Sequence, residues 1–128
     1  MTNKPAYHQL LGAINESDDR IREQALDELC APDVAVTIKQ AFATLFRAFP
    51  DLHVDVDDLL EDGDKVVARQ TVTGTNRGEL LGRAPTGRSV RYGEIFIFRF
   101  ADGRVVELSG AVDTLSCLQQ LGVVPKLV

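Results

Sequence analysis

Two polar residues interrupt an apolar run. Between Ser89 and Phe100, Tyr92 and Glu94 share the parity of Phe96, Phe98 and Phe100, so one face of a strand there carries all five. Tyr92 and Glu94 are therefore candidate site residues. For Glu94 the plainer role is an ion pair with Arg69 or Arg91. Further on, Glu107, Ser109, Ala111 and Asp113 share a parity, and Asp113 directly precedes a helical stretch, where Asp is a favoured N-cap. The remaining set, Ile95 and Ile97 with Leu108 and Val112, is expected to form the opposite face. A bulge would shift these assignments.

Other spacings fail on their context. Gly82-Arg-Ala-Pro-Thr-Gly87-Arg88-Ser89 nearly spells a phosphate-binding loop. That loop works by opening a helix whose amides cradle phosphate, and here a strand follows. The acids Asp55, Asp57, Asp58, Glu61, Asp62 and Asp64 lack alternating ligand spacing, because Leu59 and Leu60 interrupt them. A solvated strand face and turn is the better reading. His8 and His53 flank no cysteine pair, so no metal is expected. Ser109 has no evident histidine partner for nucleophilic chemistry.

The chain has 128 residues, 45% hydrophobic and 26% charged, which is the balance of one folded domain over 1–128. Acids outnumber bases 19 to 14, for a net charge of −5, which argues against nucleic acid and anionic membrane surfaces as partners. No apolar run has the ~20 residues needed to span a bilayer. Met1-Thr-Asn-Lys-Pro5 leads into polar sequence rather than the apolar core of a signal peptide. Cys30 and Cys117 sit among apolar residues as buried free thiols would, so a cytoplasmic location is expected.

The elements that must position these residues follow from periodicity. Ala6, Leu10, Leu11 and Ile14 form one helical stripe, and Ile21, Ala25, Leu26 and Leu29 a second that ends at Pro32-Asp33. A third helix, capped by Thr37, carries Ile38, Phe42, Leu45 and Phe49. Leu52, Val54 and Val56 alternate with polar residues as in a strand, and Asp62-Gly63 centres a hairpin turn into Lys65 to Thr75. Residues 74–87 contain four glycines and Pro85 and read as loop. Ser89 to Phe100 and Val105 to Val112 form a second hairpin around Ala101-Asp-Gly-Arg104, and Thr114 to Leu121 is a short helix ended by Gly122. Helices first and hairpin-linked strands second is an α+β pattern, with an antiparallel sheet covered by helices on one face. Ile95 to Phe98 is apolar on both faces, so a homodimer through the sheet is expected to cover the other.

An ordered series then carries a resemblance. It runs Phe49-Pro-Asp-Leu-His-Val54, Asp62-Gly-Asp-Lys-Val-Val67 with Arg69, Thr73-Gly-Thr75 and Pro85-Thr-Gly87. It continues with Ile97-Phe-Arg-Phe100, Asp102-Gly-Arg-Val-Val-Glu107, Asp113-Thr-Leu and Gln119-Gln-Leu-Gly122. From about Ala25 to Pro125 the chain resembles the SnoaL-like polyketide cyclase or ester cyclase family of the nuclear transport factor 2-like superfamily. The resemblance implies a cone of three helices on a curved sheet, with a small-molecule pocket between them. It implies cofactor-free aldol-type cyclisation or isomerisation of a small, mostly apolar carbonyl compound, with Asp113 at the position of the family's acid/base. A desolvated carboxylate can take a proton from carbon beside a carbonyl and return one to oxygen. Asp113 can serve as cap, as acid/base, or as both. Tyr92, Glu94, Phe96, Ser109 and Arg69 are the candidate substrate contacts in such a pocket. A non-catalytic binding or accessory domain on the same scaffold is the alternative. The chain departs from the family in two places. Ala31-Pro-Asp33 runs almost directly into Thr37, without the longer segment that normally lines the pocket, and Ser109 stands where Trp is usual.

Overall fold

The computed structural model describes residues 2–126. Helices α1 (Lys4–Ile14), α2 (Asp19–Leu29) and α3 (Pro32–Ala48) precede strands β1 (His53–Asp62), β2 (Lys65–Thr75), β3 (Ser89–Ala101) and β4 (Arg104–Val112). Helix α4 (Thr114–Gln120) closes the order. The strands form one curved antiparallel sheet in sequence order, β1-β2-β3-β4, so the α+β expectation holds. Among the described residues no helix is long and apolar enough to cross a membrane.

Local chemistry sets the element ends. Asp18 accepts from the Ile21 amide and caps α2. Gly63 takes a left-handed conformation in the β1–β2 turn, as its place after Asp62 predicts. Pro32 does not end α2 but starts α3. Its missing N–H costs nothing in the first turn of a helix, so α3 begins five residues before Thr37. Thr37 lies within the helix and turns its hydroxyl back onto the Asp33 carbonyl.

In α2 the buried stripe also differs from expectation. Arg22 is fully buried, while Ile21 faces out. The Arg22 guanidinium donates to the Glu16 carbonyl at 2.8 Å and to Asp19, and lies 4.3 Å from the centre of the Phe46 ring. Charge-assisted hydrogen bonds and the aromatic face compensate for its desolvation.

The core lies between α1, α2, α3 and the inner sheet face. It contains Tyr7, Leu10 and Leu26 from the helices and Val54, Val66, Ala68, Val72, Tyr92, Phe98 and Phe100 from the strands. Strand pairing corrects one expectation. Glu94 pairs with Val112, Phe96 with Gly110 and Phe98 with Leu108, so Leu108 and Val112 share the helix-covered face with Glu94. Ser109 pairs with Ile97 and Ala111 with Ile95, on the outer face. A β-bulge at Val106, between the Arg99–Glu107 and Phe100–Val105 pairs, breaks the alternation within β4.

Candidate functional site

A cavity of about 140 Å³ lies between the helices and the inner sheet face. Its helical wall comes from Ile14 of α1 and Ile38, Phe42 and Leu45 of α3, and its sheet wall from Phe96, Phe98, Leu108 and Val112. Among the described residues, Gln70 and Glu94 alone bring polar groups to this lining.

Those two are joined. The Tyr7 hydroxyl donates to Gln70 Oε1, and Gln70 Nε2 donates to Glu94 Oε1 at 2.6 Å. In this arrangement the amide oxygen accepts from the phenol and the NH₂ faces Glu94. The Tyr7 ring is held edge-on to Phe98, with centroids 5.4 Å apart. Burial raises the Glu94 carboxyl above its ordinary value, and the Gln70 hydrogen bond lowers it in part. Tyr92 is buried beside this group. Desolvation, then the neighbouring Cys117 and Glu94, push its phenol far up, so it stays a neutral proton donor. Cys117 is a buried free thiol, itself raised by desolvation.

The structure thus brings Tyr92, Glu94 and Phe96 to the inner face, as parity predicts. It sends Ser109 and Arg69 to the outer face. Ser109 is exposed there opposite Ile97, because β4 pairs in the opposite register. Arg69 is directed out opposite Ile95 and lies 3.8 Å from Asp57. Glu94 pairs with neither Arg69 nor Arg91, and the amide of Gln70 takes that place. Asp113 follows β4, is exposed, and accepts from the Ser116 amide at 3.1 Å as the N-cap of α4. It lines a groove of about 440 Å³ with Asp57, Arg69 and Thr71, and Gln70, Glu94 and Val112 line both this groove and the cavity.

Gln70 and Tyr7 are absent from the expectations drawn from sequence. Both carried a signal. Gln70 has the parity of Val66, Ala68 and Val72, and Tyr7 precedes Leu10, Leu11 and Ile14 at helical spacing.

The family model described as SnoaL-like polyketide cyclase matches residues 8–121. A search of the curated proteins finds no match. Among solved structures, TsrD from Streptomyces laurentii is 30% identical, with 94% of this chain and 95% of that one covered and a TM-score of 0.76. AclR from Streptomyces galilaeus, described as a candidate hydroxylase, is 27% identical over 98% and 84% of the two chains, with a TM-score of 0.85. IdmH from Streptomyces antibioticus, described as a candidate polyketide cyclase, is 27% identical over 96% and 100%, with a TM-score of 0.79.

Proposed function

We propose, for a chain that belongs to the SnoaL-like polyketide cyclase family, cofactor-free acid/base chemistry on a small, mostly apolar carbonyl compound. The observation that carries this reading is the Glu94 carboxyl in a cavity that is apolar but for Gln70, oriented by Gln70 and Tyr7. A carboxyl whose proton affinity is raised by burial is a stronger base when ionised. In the proposed reaction Glu94 removes a proton from carbon beside a carbonyl, leaving an enolate. The enolate carbon attacks a second carbonyl within the substrate and forms the new carbon–carbon bond. The resulting alkoxide takes the proton back from Glu94, so the residue ends as it began. Reprotonation at another carbon instead gives isomerisation. The cavity is below the roughly 300 Å³ of a drug-sized pocket. It suits one small ring or the reacting end of a longer molecule, in keeping with the short α2–α3 connection.

Family resemblance assigns the base to Asp113, whose groove shares Gln70, Glu94 and Val112 with the cavity, so both carboxylates line that groove. The two assignments are separable by substitution. Glu94→Gln keeps the shape of the side chain and an acceptor for Gln70; Asp113→Asn keeps the helix cap. On a carbonyl substrate that the protein turns over, Glu94→Gln is expected to lower kcat by a hundredfold or more. Asp113→Asn is expected to leave kcat within a few-fold of wild type. The reverse pattern transfers the role to Asp113. Ligand binding that neither substitution alters, with no turnover, leaves the binding-domain reading. The proposal includes a homodimer through the outer sheet face and a reducing, cytoplasmic setting for the two free thiols.

A further inference from the structure

We propose that the recess between the β2–β3 loop and α4 is a second ligand site, for a small apolar carboxylate. This recess, of about 320 Å³, shares no lining residue with the Glu94 cavity, so the proposal is independent of the acid/base reading. Its apolar wall comes from Leu80 and Leu81 on the loop and Leu118, Leu121 and Val123 at α4. Asn76 forms its foundation: the buried amide donates to the Gly78 carbonyl and accepts from the Thr86 amide, which pins both ends of the loop.

Three features assign the ligand class. First, Arg83 lines the recess, and Arg88 lies over its rim at Gly122. Gly122 takes a left-handed φ of 76°, and a Cβ there would meet the Arg88 guanidinium at 2.6 Å, which places the charge against this turn. Second, neither arginine has a carboxylate at ion-pairing distance among the described residues, although the chain carries a net charge of −5. Two unpaired cations beside an apolar wall fit a ligand with an anionic head and an apolar body.

Third, the turn beside Arg83 is strained. Leu80 and Arg83 exchange two backbone hydrogen bonds, and both central residues, Leu81 and Gly82, have left-handed φ of 52° and 74°. Such a turn favours Asn-Gly. Here its first position holds a leucine, left-handed and 72% exposed, at the mouth of the recess. An apolar side chain kept exposed in an unfavourable conformation is a cost that covering a bound apolar body would offset.

Titration calorimetry with octanoate and with octan-1-ol tests this. Octanoate is expected to bind, with amide shifts centred on Leu118 and Leu121. R83Q/R88Q is expected to weaken octanoate by roughly tenfold or more, the worth of a charge-assisted hydrogen bond, without changing the alcohol. L81N is expected to raise Tm, because asparagine tolerates the turn, and to weaken octanoate several-fold. E94Q is expected to leave octanoate affinity unchanged. Equal octanoate affinity in folded R83Q/R88Q, shifts centred on Phe96 and Phe98, or no saturable binding at millimolar octanoate would each overturn the proposal.

Discussion

At the scale of single residues, the most informative group is Glu94, because its burial has a cost that pH can expose. Its carboxyl holds the proton more tightly in the folded chain than in the unfolded one. Protonated Glu94 therefore contributes stability below the ordinary carboxylate range, and that contribution is lost as pH rises through the raised folded value. Glutamine at this position never ionises. In urea unfolding followed from acid to neutral pH, Glu94→Gln is expected to gain stability relative to wild type as pH rises. A constant difference across the range would show that burial does not perturb the carboxyl. Arg22 shows the opposite solution to burial, since it cannot give up its charge and instead gathers a carbonyl, a carboxylate and an aromatic face.

At the scale of elements, β4 decides what the cavity contains. Its bulge at Val106 and its pairing with β3 place Leu108 and Val112 inward and Ser109 outward. The close approach at Gly110 belongs to the same arrangement. A Cβ there would stand 2.3 Å from the Ile95 carbonyl oxygen and 2.5 Å from the Phe96 ring. The Phe96 ring lies over the glycine and lines the cavity at the same time. Gly110→Ala is expected to cost about 1–3 kcal/mol, the range for overpacking a filled site, measured by chemical denaturation. Turnover should fall further than stability, because the displaced ring is part of the cavity wall. A variant as stable as wild type would mean that the strands part easily at this point.

At the scale of the whole molecule, the outer sheet face is the feature that a single chain leaves open. Leu60, Ile95 and Ile97 are 60%, 50% and 39% exposed, with Val67 between Leu60 and Ile97 and Ala111 beside Ile95 in the strand pairing. This stripe differs from the one expected from parity, since Leu60 and Val67 replace Leu108 and Val112. A contiguous apolar face exposed to water is a liability that a two-fold partner removes with one self-complementary patch. Ile97→Asp is expected to shift sedimentation from dimer to monomer, because an unpaired charge would enter that interface. Wild-type protein that sediments as a monomer at micromolar concentration would defeat the dimer. The groove that holds Asp113 and Arg69 reaches this face through Ile95 and Ala111, so dimerisation would also change the surroundings of Asp113.

Much of this protein was legible in its residues. Stripe spacing, Asp62-Gly63, Asp102-Gly103 and Gly122 specify the order of helices and hairpins, because each acts over a few residues of chain. The inward parity of Tyr92, Glu94 and Phe96 was legible for the same reason. The cap at Asp113 was legible too, since the bond from Ser116 spans three residues. Tertiary structure decided what depends on contacts distant in sequence. Which face of β4 turns inward depends on its register with β3 and on one extra residue at Val106. The orientation of Glu94 depends on Gln70, 24 residues away, and through it on Tyr7, 63 residues from Gln70. A glutamine in a strand and a tyrosine in a helix each read as ordinary surface or core residues by themselves. Only the fold sets their hydrogen-bonding groups in line and makes a carboxyl in an apolar wall into a candidate base.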